Sequence, residues 1–222
     1  MSAERTYRML FLGSPGTGKG TYSMRLAEGF GLKHIATGDI LRETVKKGGE
    51  TADQIRKFID KGELVPDEII VQIIKGTLLS DEAKRGFTLD GFPRNINQAR
   101  ILDDMMRSIG WEFDYIFNVW AEKKNIVDRI VNRLQCANCN TVYNLVDNPP
   151  KNDTICDVCG NHMRHRPDDD RKTVLRRFEV YEMDTAPVVE HYRDRSTFYE
   201  IYTGGPVGLA EKDMLKIIRE DG

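Results

Sequence analysis

The sequence predicts an α/β fold with a central parallel sheet of five strands and helices on both faces. Three observations carry this. Strand-like runs alternate with helical patterns along most of the chain, a glycine-rich turn joins the first strand to the first helix, and two segments, Gly38–Pro66 and the cysteine-bearing Cys136–Arg166, break the alternation. Strands separated by helices return to the sheet in parallel, which covers both faces.

In chain order, the first strand is Tyr7–Leu12, apolar from Met9 to Leu12, followed by the turn Gly13–Thr21 and a helix over Lys19–Phe30. A second strand, Lys33–Ala36, leads into Gly38–Pro66, which reads as short helices punctuated by Gly48-Gly49 and Lys61-Gly62. A helix over Asp67–Leu79, a strand at Phe87–Leu89 and a helix over Asn95–Ser108 come next. The strand Tyr115–Trp120 precedes a helix over Lys123–Leu134. Beyond the insert Cys136–Arg166 lie a helix over Lys172–Tyr192, the strand Phe198–Tyr202 and a helix over Ala210–Ile218. In parallel sheets ligands sit beyond the carboxyl ends of the strands. Those ends carry Gly13–Thr21, Thr37-Gly38-Asp39 and Asp90-Gly91-Phe92-Pro93-Arg94, which therefore converge on one rim.

Composition narrows the class. A chain of 222 residues with 40% apolar and 31% charged residues is globular, either one domain with insertions or two small domains. A net charge of −2 offers no general attraction to nucleic acid or anionic lipid. No apolar run approaches the roughly 20 residues of a membrane span, and Met-Ser-Ala-Glu-Arg at the start lacks a signal-peptide core. The expected location is the cytoplasm, where four cysteines are not read as disulfides.

The turn Gly13-Ser14-Pro15-Gly16-Thr17-Gly18-Lys19-Gly20-Thr21 is laid out as a P-loop between strand and helix. Glycines let backbone N–H groups point inward at phosphate oxygens. The start of the helix adds a positive dipole end, and Lys19 adds a mobile point charge. Gly20, not Ser or Thr, follows the lysine, and Thr21 comes one place later. The competing reading is a βα turn that binds nothing; so many glycines in register with Pro, Lys and Thr argue against it.

Cys136-x2-Cys139 and Cys156-x2-Cys159 form two thiolate pairs separated by 16 residues. Two such knuckles complete a tetrahedral four-sulfur site, with zinc favoured over iron. A closed shell leaves no position for water, so the metal stabilises and does not catalyse. Two disulfides or unpaired thiols are the alternatives. His162 and His165 lie nearby and are left outside the shell. A zinc ribbon also raises a nucleic-acid-binding module. Against it, Asp147, Asp153, Asp157 and Asp168–Asp170 interleave with the nearby basic residues, and Tyr143 is the insert's one aromatic.

Arg42, Arg94, Arg129, Arg133, Arg166 and Arg177 come from different elements yet can face the same rim. Arg129 and Arg133, four apart, are expected on one helix face. Phosphoryl transfer between two anionic substrates needs such fixed positive charge, since the protein supplies mainly position and electrostatics. Asp90, at the end of its strand, is placed to hold Mg²⁺ through water; a salt bridge to one of the arginines is the alternative.

On these stretches the chain resembles the adenylate kinase family in its long-lid, zinc-bearing bacterial form. The matches are Gly13–Thr21, Thr37–Arg42, Gly62–Asp67, Asp90–Arg94 with Gln98, Asp128–Arg133, the four-cysteine insert with Val142-Tyr143, and Arg166 through Arg177. The resemblance implies one P-loop NTPase domain over residues 1–222. Two insertions break it, a helical nucleoside-monophosphate segment at 36–65 and a lid at 132–169. It implies the reaction ATP + AMP = 2 ADP with Mg²⁺, and a structural Zn²⁺. The residues implied around ATP are Gly16, Thr17, Gly18, Lys19, Gly20, Thr21, Arg129, Arg133, Val142, Tyr143 and Gly205. Those implied around AMP are Thr37, Gly38, Arg42, Glu63, Leu64, Val65, Gly91, Phe92, Pro93, Arg94, Gln98, Arg166 and Arg177. Lys19, Arg94, Arg133, Arg166 and Arg177 are the implied catalytic set. Asp168 and Asp169 either orient lid arginines or cap the following helix. A monomer with no nucleic-acid or membrane partner is expected.

The chain departs from the family at three places. Arg171 and Lys172 stand where acidic residues are usual, and Tyr202-Thr203 replaces an Asp-Gly pair before Gly204-Gly205-Pro206. That loop is expected beside the ATP base, which keeps a GTP:AMP phosphotransferase as an alternative. Glu63 occupies a position where lysine or glutamine is common, but the contact there is mainly through backbone. A different P-loop phosphotransferase is also weighed; Thr37, Val65 and Gln98, the implied adenine-reading set, speak against it.

Overall fold

The computed structural model describes residues 6–146, 148–152, 154–205 and 208–220. The leading residues Met1–Arg5, the acids Asp147 and Asp153, and Pro206 named above lie outside them. Five strands, β1 (Arg8–Leu12), β2 (Lys33–Ala36), β3 (Phe87–Asp90), β4 (Tyr115–Trp120) and β8 (Phe198–Tyr202), form one sheet in the order β2-β3-β1-β4-β8. Every pairing in it is parallel. All five strands fall on the expected runs to within one residue at an end.

The period of two along β1 divides the core. Leu10 and Leu12 face one cluster with Ile35, Phe87, Leu89 and Ile116; Met9 and Phe11 face another with Tyr115, Phe117 and Val119. Helix α1 (Lys19–Phe30) and the last helix, α10 (Leu209–Glu220), cover the second face through Leu26, Met214 and Ile218. The first face is covered by α2 (Thr37–Lys47), α3 (Glu50–Ile59), α4 (Asp67–Leu78), α5 (Asp81–Lys84), α6 (Ile96–Ser108) and α9 (Ala186–Arg193). With both faces buried, β1 reads as a continuous apolar run. The short helices expected in Gly38–Pro66 are α2 and α3, parted by Gly48 (φ 77°) and Gly49 (φ 101°).

Two expectations fail on the flanks of the insert. The helix expected over Lys123–Leu134 ends early: α7 spans Lys123–Val131, and Arg133 opens β5 (Arg133–Cys136). Arg129 and Arg133 therefore do not share a helix face. The cause is tertiary. Arg133, Leu134 and Gln135 pair antiparallel with Asn144, Tyr143 and Val142 of β6 (Val142–Asn144), and Leu134 is buried with Tyr143 beside the cysteines. With β7 (Met163–Arg164) these strands form a small sheet in the order β6-β5-β7.

The helix expected over Lys172–Tyr192 is interrupted. Helix α8 (Arg171–Val180) is followed by a π-helical turn, Tyr181–Thr185, and then by α9. Pro187, at the start of α9, has no N–H to continue the ladder, and the Ala186 N–H reaches back to the Tyr181 carbonyl.

Candidate nucleotide-binding cleft

The carboxyl ends of β1, β2 and β3 open into a cleft of about 310 Å³. Its floor starts with the turn after β1. Gly13 has φ 131°, and a Cβ there would stand 2.0 Å from the Val119 carbonyl oxygen, so the turn can pack against β4 only as glycine. Gly18 (φ 91°) caps α1, whose first residue is Lys19. Thr17 Oγ1 and Lys19 Nζ both donate to the Ser14 carbonyl, at 3.0 and 2.7 Å. Burial lowers the Lys19 ammonium to about 8; Asp90 opposes the shift, and Arg94, Arg177 and Arg133 add to it.

Seven arginines line this cleft: Arg25 of α1 and the six expected there, Arg42, Arg94, Arg129, Arg133, Arg166 and Arg177, each from a different element or turn. Gly16, Thr17, Gly18, Gly20, Thr21, Asp90, Val142, Tyr143 and Gly205 line it with them, as do Gly38, Leu64, Gly91 and Pro93. A neighbouring cavity of about 70 Å³ is lined by Thr37, Glu63, Val65 and Gln98, and it shares Gly38, Arg42, Leu64, Gly91, Arg94 and Arg177 with the first. Of the residues implied around ATP and AMP, Phe92 alone lines neither. It is 1% exposed and belongs to the core, so it shapes the turn after β3 from below.

Arg133 and Arg177 are held by carboxylates. Arg133 donates from Nε to Asp169 Oδ2 at 2.7 Å and from Nη2 to Oδ1; Arg177 reaches Asp168 at 3.2 Å and Asp169 at 3.4 Å. Helix capping falls to Asp170, whose side chain accepts from the N–H groups of Lys172 and Thr173. Asp168 and Asp169 are thus arginine-orienting residues here. Burial lowers Arg166 to about 9 and Arg177 to about 10, with Arg133 the next contributor to each. Guanidinium groups remain charged at neutral pH. The shifts therefore measure cations crowded in a low-dielectric space, which a phosphate would relieve.

Asp90 tests the Mg²⁺ expectation. Its Oδ1 is buried without a hydrogen-bond partner, and its Oδ2 lies 3.1 Å from where a Cβ on Gly20 would stand. An orphaned carboxylate oxygen against the phosphate-binding turn fits a water-mediated ligand of a hard cation. The absence of a side chain on Gly20 leaves room for it.

The four cysteines meet. Their sulfurs all lie within 4.8 Å of one another, with Cys136–Cys159 at 3.4 Å and Cys139–Cys156 at 3.6 Å. Zn–S bonds of about 2.3 Å give tetrahedral edges of about 3.8 Å, so the set fits zinc with little adjustment. None is in a disulfide, and both histidines are exposed and outside the cluster. The backbone N–H of Asn161 lowers the Cys159 thiol to about 6, while burial raises Cys136 to about 11, so metal binding would have to displace a proton from Cys136.

Four residues of the site carried no assigned role in the sequence. Asp39 holds Arg42 at 2.6 Å, and Asp67 accepts from Asn95, Asn97 and the Gln98 amide. Thr203 donates from Oγ1 to the Thr17 carbonyl at 2.9 Å while its own carbonyl accepts from Arg129 at 2.9 Å. Gln135 accepts from Arg166 at 2.7 Å. Asp39 lies in a segment marked by its place at a strand end, and Asp67 and Thr203 in stretches marked by the family resemblance; nothing in the sequence signals Gln135.

A parallel sheet with this strand order, a phosphate-binding turn and converging arginines defines a P-loop phosphotransferase. The family model described as "Adenylate kinase" matches residues 11–197. Curated relatives carry the same name. The protein of Thermosipho africanus is 42% identical over 95% of this chain and 99% of its own length. That of Archaeoglobus fulgidus is 42% identical over 87% of this chain and 89% of its own. That of Caldicellulosiruptor bescii is 38% identical over 95% and 98%. The chain belongs to the adenylate kinase family. The GTP-using alternative finds no support among these names. No described helix is long and apolar enough to cross a membrane.

Proposed function

We propose that this chain catalyses ATP + AMP = 2 ADP, with ATP over the turn Gly16–Thr21 and AMP in the smaller cavity. The observation that carries the reading is that the two cavities share Arg42, Arg94 and Arg177. A phosphoryl group lying between two nucleotides meets those arginines from either side. On the donor side, Gly16, Thr17, Gly18, Gly20 and Thr21 offer backbone N–H groups, Lys19 meets the β/γ-phosphates, and Arg129, Val142, Tyr143 and Gly205 bound the base and ribose. On the acceptor side, Thr37, Leu64, Val65 and Gln98 contact adenine, with Gly38, Glu63, Gly91 and Pro93 contributing backbone. Asp67 pins the Gln98 amide at 2.7 Å, and Gln98 Oε1 accepts from the Arg94 N–H at 2.7 Å, so base recognition and arginine placement are linked.

In the transfer, an oxygen of the AMP phosphate forms a bond to the γ-phosphorus as the bond to the leaving ADP oxygen breaks. No proton need move. Lys19, Arg94, Arg133, Arg166 and Arg177 balance the charge spread over the equatorial oxygens. Asp90 would hold Mg²⁺ through water, and the ion would supply further charge neutralisation to the phosphates. Segment 36–65 acts as the acceptor lobe and 132–169 as a lid that excludes water, without which hydrolysis competes. Cys136, Cys139, Cys156 and Cys159 would hold a Zn²⁺, which would let that lid move as a unit. The working protein is read as a cytoplasmic monomer with no nucleic-acid or membrane partner. The test is Mg²⁺ with ADP alone, followed by nucleotide separation. Equal amounts of ATP and AMP are expected; no conversion refutes the assignment, and GTP with AMP is then tried.

A further inference from the structure

Gln135 joins two charged groups that belong to different segments. It lies in β5 and is 7% exposed. Its Oε1 accepts from Arg166 Nε at 2.7 Å, while its Nε2 lies 3.4 Å from Asp39 Oδ1 in α2. Arg166 and Asp39 are themselves 4.0 Å apart, and Arg42 holds the same Asp39 oxygen at 2.6 Å. The Nε2 hydrogens are shared with the carbonyl and side-chain oxygens of Asn140 at 3.3 and 3.4 Å. Three acceptors compete for two hydrogens, so the arm to Arg166 is the stronger and the arm to Asp39 the weaker.

We infer that Gln135 is a positioning residue that fixes the Arg166 guanidinium and couples it to Asp39 when the insert lies over α2. The inference rests on the roles proposed above for Arg166 and the two segments. The chemistry selects an amide. A carboxylate at this position accepts from Arg166 but repels Asp39, a lysine does the reverse, and an aliphatic side chain leaves Arg166 Nε without a partner in a desolvated place. With Nε occupied, the guanidinium plane is set and its terminal nitrogens remain for phosphate oxygens. The bridge exists only while β5 and α2 are together. It therefore favours the closed arrangement and aligns Arg166 in the same step.

The test compares wild type, Gln135→Leu, Gln135→Glu, and Gln135→Glu combined with Asp39→Asn, at equal bound-metal content. Turnover of ADP is read beside the distance between fluorophores at the exposed positions Lys57 and Val158, with and without nucleotide. Gln135→Leu is expected to lower kcat about tenfold, the fold-change for one charge-assisted hydrogen bond, and to reduce the closed fraction. Gln135→Glu is expected to be worse, because it sets two carboxylates against each other. Adding Asp39→Asn restores an acceptor–donor pair with the roles exchanged and should recover at least about fivefold over Gln135→Glu alone. The inference is overturned if Gln135→Leu stays within about twofold of wild type in kcat and closure, including the case where only Tm falls. It is equally overturned if Asp39→Asn deepens the Gln135→Glu defect. Failure of wild type to convert ADP would instead overturn the proposed function, and the closure distances would still decide the bridge.

Discussion

Raising pH above neutrality should weaken nucleotide binding through one group, Lys19. Burial brings its ammonium to about 8, against an ordinary lysine near 10.5. The free protein therefore loses this proton around pH 8, being about nine-tenths neutral by pH 9, and bound phosphates draw it back. If the bound state stays protonated across that range, apparent affinity for Mg·ATP falls as the neutral fraction grows. That fall is roughly tenfold at pH 9, or about 1.4 kcal/mol. Lys19 is only partly buried, so water screening makes tenfold the upper figure. For stability the sign is opposite to that of a salt-bridged lysine. The folded state binds fewer protons than the unfolded state in this window, so this group's contribution to stability rises with pH from about 8 to 10.5. Calorimetric titration of Mg·ATP from pH 7 to 9.5, in buffers of different ionisation enthalpy, counts the protons taken up. An uptake climbing toward one proton above pH 8 is expected. Affinity that is flat to pH 9.5, with no buffer-dependent heat, would refute the burial argument.

Three other perturbations probe separate parts of the site. Asp169→Asn removes the charge that holds both Arg133 and Arg177 from a carboxylate 2% exposed. It should cost about 3 kcal/mol of stability, roughly 6–12 °C in Tm for a chain of this size, with kcat down at least about tenfold. A kcat within a factor of two would show that the pair has no part in the chemistry. Cys139→Ser should lower Tm by roughly 4–12 °C while changing kcat less than about threefold, because the metal holds the insert and touches no substrate. Unchanged melting in a variant shown to be metal-free would count against a stabilising site. Thr203→Val keeps the shape but loses the donor to Thr17 and Trp120. It should raise KM for ATP by roughly two- to tenfold and leave KM for AMP alone; Thr203→Ser should behave as wild type, and an equal rise in both constants would reject a donor-side role.

How much of this was legible beforehand depends on the range of the interaction involved. The inner strands β1 and β4 were readable because both faces of the sheet are buried there, which writes them as apolar runs. The edge strands β2 and β8 were readable from their place between helical patterns. The phosphate-binding turn was readable because its glycines are demanded locally: Gly13 abuts a carbonyl of β4, and only a residue without Cβ fits. The cysteine pairs were readable because a knuckle imposes its own spacing. Gly91–Arg94 and Thr37–Arg42 were legible as rim segments for the same topological reason that puts ligands at strand ends.

The sequence by itself therefore determined the fold class, the phosphate turn, the four-sulfur cluster and six of the seven arginines around the cleft. Tertiary structure alone decided where two helices stop. The 3.6-residue pattern continues through Arg133 and Leu134, but pairing with β6 satisfies their backbone groups in a strand instead. It also decided which carboxylate serves which arginine. Asp168, Asp169 and Asp170 are consecutive and chemically alike, yet two hold guanidinium groups and the third caps α8. Gln135 belongs to the same class of fact. Its neighbours Arg166 and Asp39 lie 31 and 96 residues away. A hydrogen bond between residues so distant leaves no periodicity, spacing or composition in the chain from which it could be read.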